Sequence, residues 1–221
     1  MKKIKSSVSF LLIGFLSFAI ISGCGKSGKE AEVTSKQNTP GNKGNKTVKI
    51  DVNASTVNWL GKKVTGKHNG TIKILNGEIY LDKDKVVGGN FEIDMKTITN
   101  LDLEGENNAK LINHLKSGDF FDADKFPTSK FEITDVTPLN DPAKPNYNFS
   151  VKGNLTMKGK TNGITYPASI KVENGVVTAS ADFDIDRTLW EIKYGSGKFF
   201  ENLGDKMIND NFNIQFNVLA K

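Results

Sequence analysis

The chain has 221 residues, 37% of them hydrophobic, and a formal net charge of +5. Lys2, Lys3 and Lys5 precede the first long apolar run with no acid beside them, so removing that leader would lower the charge from +5 to +2. A balance that small excludes a protein organised around nucleic-acid phosphates, and one cysteine excludes an internal disulfide framework.

From the amino terminus, the three lysines lead into an apolar run from Phe10 to Ile21. This is the layout of an export signal and too short for a comfortable membrane span. The run closes on Ile21-Ser22-Gly23-Cys24, an aliphatic residue, two small ones and a cysteine. That sequence resembles the lipobox of bacterial lipoproteins. The resemblance implies a lipoprotein signal peptide over 1–23, a diacylglycerol thioether on Cys24 and acylation of the new amino terminus by a palmitate-type chain. Several chains on one residue give a stable membrane anchor. The expected location is the bacterial cell envelope, at the outer membrane in a Gram-negative host, since Gly25 rather than Asp follows the cysteine. An ordinary secretory signal would instead leave a free thiol on an exported protein. Residues 24–47, rich in Lys, Gly, Ser, Asn and Gln, cannot bury enough apolar surface to fold. They read as a flexible tether with a reach of roughly 25 Å.

Residues 48–221 read as one domain of alternating strands. The early candidates are Val48-Ile50-Val52, Val57-Trp59, Ile72 with Ile74, Ile79 to Leu81, and Phe91-Ile93-Met95. One helix interrupts, with Asn107 or Asn108 as cap, Leu111, Ile112 and Leu115 on one face, and Gly118 closing it. His114 to Phe131 then carries Phe120, Phe121 and Phe126 back towards a strand from Thr128 to Val136. Three cleaner alternations follow, in Tyr147 to Met157, Ile164 to Val172 and Ala179 to Ile185, and a last one in Phe212-Ile214-Phe216-Val218. Asn76-Gly77 and Asn174-Gly175 give strong two-residue hairpin signals; Lys158-Gly159 and Gly88-Gly89 give weaker ones. Roughly eight or nine strands with one apolar face form a sandwich or a closed barrel, and a barrel of about eight either fills itself or holds one ligand.

The motifs run in a recognisable order: Trp59-x-Gly61-x-Lys63, Gly66-x-His68-x-Gly70, Gly88-Gly89-x-Phe91-x-Ile93-Asp94-Met95, then His114-Leu115-Lys116-x-x-Asp119-Phe120-Phe121-Asp122 with Phe126-Pro127 and Phe131. Val151-x-Gly153-x-Leu155-Thr156-x-x-Gly159-x-Thr161 and Phe183-x-Ile185-Asp186-Arg187 with Trp190, Ile192 and Tyr194 complete the set. Together they resemble the YceI-like family across 48–221. The resemblance implies an all-β fold: a lipocalin-like antiparallel β-barrel of about eight strands with one short helix, whose cavity binds an isoprenoid lipid or quinone. Lys198 to Asn211 does not align with the family pattern.

The cavity candidates are Phe91, Met95, Phe120, Phe121, Phe131, Phe149, Leu155, Phe183, Trp190 and Phe216, with Tyr147, Met157 and Phe212 sharing the inward parity. Adjacent Phe120 and Phe121 point opposite ways in an extended segment, so one packs into the cavity and the other under the helix or at a homodimer contact. Arg187 falls on the inward side and must be paired or meet an anion, either as a salt bridge stacked on Trp190 or as a head-group contact. His68 is either a head-group contact or a hydrogen-bonded imidazole at a strand entry.

No metal site, no cofactor and no enzyme activity are expected. HExxH, a nucleophile elbow and a phosphate loop are missing, and Asp119, Asp122 and Asp124 lack the glycine and terminal Glu of a calcium loop. The expected partners are an isoprenoid or other amphiphilic lipid, and the membrane through acylated Cys24. The rival is a filled barrel serving as a structural or protein-interaction module.

Overall fold

The computed structural model describes residues 30–39, 41 and 43–221. The expected signal peptide, Cys24 and the first part of the expected tether lie outside these residues.

Two short strands come first, β1 (Glu32–Thr34) and β2 (Lys46–Lys49). The barrel follows as β3 (Thr56–Lys63), β4 (Gly66–Asp82), β5 (Lys85–Asp94), β6 (Thr128–Pro138), β7 (Phe149–Met157), β8 (Lys160–Glu173), β9 (Val176–Asp186) and β10 (Asn211–Ala220). The one α-helix among the described residues, α1 (Gly105–Lys116), lies between β5 and β6. Each barrel strand pairs antiparallel with the next in sequence, and β10 closes on β3 with Ile214 opposite Trp59. The alternation explains the closure: a strand with one apolar face buries it only against other strands, and a closed wall leaves no edge. The architecture is thus a closed eight-stranded antiparallel barrel with one helix, as the family resemblance implied and as one of the two forms that the alternation left open.

Two turns behave as their sequences dictate. Lys158-Gly159, with φ of 47° and 76°, joins β7 to β8, and Asn174-Gly175, with φ of 52° and 75°, joins β8 to β9. Both have the left-handed pair that a tight hairpin needs. Asn76-Gly77 differs: β4 runs straight through it. Ile74 pairs with Ile93 but Asn76 with Glu92, so Leu75 is bulged out of register. Gly77 is required because an added Cβ would lie 2.6 Å from the Ile50 side chain and 2.8 Å from the Asn90 carbonyl oxygen. Gly88-Gly89 likewise lies within β5; the turn before it uses Lys83, whose φ is 56°. Neither asparagine caps α1. Glu104 occupies the cap position, and the Asn108 amide donates to the Leu103 and Asn100 carbonyls (2.7 and 3.2 Å), fastening the preceding loop. Ser117, not Gly118, closes the helix.

The expected tether is a tether in part at most. β1 pairs with β8, β2 pairs with β4, and Ala31 is buried. Composition argued against an independent fold, but the barrel supplies the strand partners that this segment lacks by itself.

The barrel is filled at the end carrying the β4–β5 and β8–β9 turns, where Leu81, Ile133, Val151, Ile170, Val177 and Ala220 are buried in one cluster. The opposite end carries α1 and the long β9–β10 connection.

Overpacking costs about 1–3 kcal/mol, so Gly77→Ala should lower the urea-unfolding free energy by that amount. Gly66→Ala, which meets open space, should leave stability unchanged or slightly raised.

Candidate functional site

Above the filled end the barrel is hollow. A cavity of about 190 Å³ lies between the walls and α1, lined almost wholly by apolar side chains. Its waist is a run of aromatic rings. Phe91 stacks on Phe131 at 5.7 Å, Tyr166 stacks on Phe183 at 4.2 Å, and Phe216 meets Tyr166 edge-on at 6.0 Å. These rings come from β5, β6, β8, β9 and β10, which places them around the bore rather than along one wall. The roof is Leu115 from α1 with Phe120 and Phe121 from its exit.

The sequence-derived candidates divide cleanly. Phe91, Met95, Phe120, Phe121, Phe131, Leu155, Phe183, Phe216 and Arg187 line the cavity. Both Phe120 and Phe121 do so because the exit from α1 is a tight turn, with the Phe121 amide bonded to Leu115 O (3.1 Å), and extended alternation does not apply. Phe149 and Trp190 do not line it. Phe149 is half-buried at the start of β7, opposite Pro138 and Ala168 towards the filled end. Trp190 is fully buried, and its Nε1 donates to Leu155 O (2.9 Å), pinning the 187–190 turn to β7. Tyr147 precedes β7 and is not part of this lining.

Arg187 is buried (4% exposed) and heavily engaged. Nε donates to Asn209 O (3.1 Å), Nη1 to Ile192 O (2.6 Å) and Nη2 to Ile208 O (3.2 Å), with Asp210 at 3.8 Å. Its guanidinium lies 5.8 Å from the ring of Phe120, not over Trp190. Burial lowers its pKa while Asp210 and Asp186 oppose that shift. Lys198 bridges Asp186 (2.6 Å) and Asp210 (3.3 Å), extending the network to the surface. Arg187 is thereby the tie between the β9–β10 connection and the cavity roof.

His68 lies apart from the cavity. Its Nδ1 is 2.7 Å from Asp102 Oδ2, and Asp102 also accepts from the Asn69 amide (2.8 Å) and Asn100 Nδ2 (2.6 Å). This cluster fastens β4 to the loop before α1. His114 packs edge-on against Phe120 and Tyr194 at 5.0 and 4.6 Å, on the outer side of the roof. Among the described residues no three His, Cys, Asp or Glu side chains gather to hold a metal.

Sequence reading missed Trp59, Ile98, Ile185 and Tyr166 as lining residues. Tyr166 shares parity with Ile164 and Ala168, so alternation alone would have found it. The residue is 3% exposed, burial raises its pKa strongly, and no hydrogen bond to it is present among the described residues.

The fold and bore define a lipocalin-like antiparallel β-barrel with an internal apolar cavity. The sequence profile of the YceI-like domain matches residues 48–220, and the chain belongs to that family. Among curated relatives, UPF0312 proteins of Pseudomonas putida are 31% identical over 105 residues, 48% of this chain and 50% of theirs. A Pseudomonas aeruginosa counterpart is 37% identical over 79 residues, 36% of each. The matches thus span half or less of those relatives' length. Among solved structures, BcnA of Burkholderia cenocepacia superposes with a TM-score of 0.61 at 21% identity, covering 78% of this chain and 99% of that one. A polyisoprenoid binding domain from Saccharophagus degradans, implicated in plant cell wall breakdown, gives 0.58 at 12% identity, covering 79% and 97%. At these identities the likeness shows the shared fold.

Two outcomes are expected. In lipid-free protein, Tyr166→Phe should leave the unfolding free energy within about 1 kcal/mol of wild type, since its hydroxyl makes no hydrogen bond among the described residues and its side chain lines the hollow bore. Burial would raise the Asp186 carboxyl, but hydrogen bonds from Lys198 and Thr188 outweigh it and hold it below its ordinary value of 3.8. A depressed carboxyl stabilises the fold above its unfolded pKa and loses that contribution as pH falls through the folded value. Asp186→Asn should therefore cost stability near neutral pH, and the difference from wild type should shrink below pH 3.8 in urea melts across pH.

Proposed function

We propose that this chain is a non-enzymatic binding protein. It sequesters or carries an isoprenoid-type lipid, or a similar amphiphile such as a quinone, in the bacterial envelope, held there by acylation at Cys24. The observation that carries this reading is the cavity itself: a hollow, aromatic-waisted bore in a family to which a polyisoprenoid binding domain is structurally similar. A prenyl chain offers continuous apolar surface, whose burial yields about 25 cal/mol per Å² before ordering costs. The bore is smaller than the roughly 300–1,000 Å³ of ordinary small-molecule pockets, which favours a slender chain over a broad ring system. Phenylalanine and methionine suit its wall because neither needs a hydrogen-bond partner.

The charges nearest the bore support binding rather than catalysis. Arg187, Asp186 and Lys198 are occupied with one another or with backbone carbonyls, and Asp210 meets Lys198 through Oδ2 while its buried Oδ1, 3.8 Å from Arg187, makes no hydrogen bond among the described residues. The filled half of the barrel keeps a second reading in view, that of a structural or protein-interaction lipoprotein.

The test is extraction of purified protein, made without residues 1–24, followed by mass spectrometry of the extract. Wild type should release an isoprenoid in about equimolar amount. Ile72→Trp, which fills the bore from β4, should release none while keeping a wild-type circular dichroism spectrum. Protein that purifies empty and fails to bind added quinone or prenyl phosphate would establish the second reading instead.

A further inference from the structure

The barrel wall has a gap. β8 and β9 pair only near the filled end, from Ser169 opposite Ser180 to Glu173 opposite Val176. Beyond that the two strands part. β9 stays fully paired with β10 on its other side, through Asp186 opposite Asn211, and β8 with β7 through Lys160 opposite Met157. At the α1 end the gap is bounded by the 187–190 turn, where Trp190 binds Leu155 O and Asn162 Nδ2 binds Leu189 O (2.9 Å). The opening is as long as residues 181–186 of β9, about 17–20 Å, and about two ladder spacings, roughly 10 Å, wide. Ile164, Tyr166, Phe183 and Ile185 flank it, and all four line the cavity.

β1 fills this gap. It pairs with β8 through Glu32 opposite Thr165, Val33 opposite Ile164 and Thr34 opposite Gly163. Towards β9, the described residues show one bridge, Glu30 with Asp184, and the Ala31 amide bonded to Asp184 O (2.9 Å). Ala31 closes the wall at 2% exposure. Downstream the segment is clamped. Gln37 exchanges two hydrogen bonds with the buried Asn154 side chain (2.7 and 2.8 Å), and Thr134 Oγ1 donates to the Gln37 side chain (2.7 Å). The strap is thus clamped by side chains at Gln37, while at its upstream end the described residues show only the backbone contacts of Glu30 and Ala31 to Asp184.

We propose that the β8–β9 gap is the lateral entrance to the cavity and that residues 30–36 are its closure, swinging about the Gln37–Asn154 clamp. The assignment rests on the apolar-ligand reading of the cavity. A long chain would slide in sideways through the wall, with no need to unseat Phe120, Phe121 and the Arg187 network. The swinging end is also the end nearest the expected lipid anchor. Cys24 is six residues before Glu30, at most about 20 Å of extended chain, so an anchored protein would hold this seam close to the membrane from which such a ligand comes.

The test uses the chain without residues 1–24, so that no native cysteine is present, and follows a short-chain ubiquinone by stopped-flow quenching of tryptophan fluorescence, Trp59 being in the cavity wall. Glu30→Cys with Asp184→Cys, oxidised, locks the strap to β9. It should slow uptake and release about tenfold or more with the equilibrium affinity nearly unchanged, and reduction should restore the rates. Gly163→Val should have the opposite effect, because a Cβ there would lie 2.6 Å from Thr34 Oγ1 and 2.7 Å from Ser35 O and wedge the strap outward. Quinone binding with equal rates in the locked, wedged and wild-type proteins would overturn the entrance and leave the α1 end as the route. If quinone does not bind at all, the binding reading fails separately, and hydrogen exchange decides the strap. Ala31 exchanging much faster than the β9–β10 ladder supports a movable closure, and exchange as slow as that ladder overturns it.

Discussion

A strand wall satisfies its backbone only where every strand finds a neighbour on both sides, and this barrel meets that requirement unevenly. The β9–β10 ladder is long and regular, running unbroken from Asp186 opposite Asn211 to Val177 opposite Ala220. The β8–β9 ladder stops at Ser169 and Ser180, and everything beyond it on those two edges depends on a third chain segment. That segment comes from the part of the sequence with the least power to fold alone. The same divergence makes the bore: where β8 and β9 are zipped together the interior is filled, and where they part there is room for the aromatic waist.

Side-chain size and shape account for the rest of the hollow. The filled end is packed with branched aliphatics such as Ile133, Ile170 and Val177, which interdigitate across a narrow bore. Towards α1 the walls carry flat rings that stack on one another, Phe91 on Phe131 and Tyr166 on Phe183, so that they pave the wall rather than cross it. The roof is then held from outside. Arg187 fastens three carbonyls of the β9–β10 connection, and the face of its guanidinium lies near Phe120. Removing that charge would leave three carbonyls without their donor, that of Ile192 buried, a larger loss than one ring contact.

Much of this was legible in the sequence because alternation is a local property. Phe183 and Ile185 face inward for the same reason that Asp182 and Asp184 face outward, and no distant information is needed to see it. Asn174-Gly175 and Lys158-Gly159 also succeed locally, since a two-residue hairpin imposes its φ values on those residues alone. Asn76-Gly77 fails because its glycine answers to Ile50 and Asn90, contacts set by pairing between strands far apart in the chain. Phe149 and Trp190 fail for a related reason: parity gives the face of a strand and says nothing about whether that level of the barrel is filled or hollow. The docking of residues 30–37 was hidden most deeply, since it depends on a gap in the wall that exists only once β8 and β9 have been placed.

The charged groups near the bore carry the last step. Perturbed ionisable groups in a cleft usually raise the prospect of chemistry. Here Asp186 is depressed by hydrogen bonds from Lys198 and Thr188 that outweigh its burial, and Arg187 is lowered by burial against the opposing pull of Asp210 and Asp186, all within one network running from Lys198 at the surface to the Arg187 guanidinium under the roof. A group committed in that way cannot leave its partners to move a proton without loosening the roof that it secures. In the proposed carrier, discrimination among ligands would fall to the width of the aromatic waist and to the Tyr166 hydroxyl, which makes no hydrogen bond among the described residues. On that reading the bore would reject by shape, and a chain with an acceptor oxygen placed at Tyr166 would gain a hydrogen bond that a bare hydrocarbon cannot make.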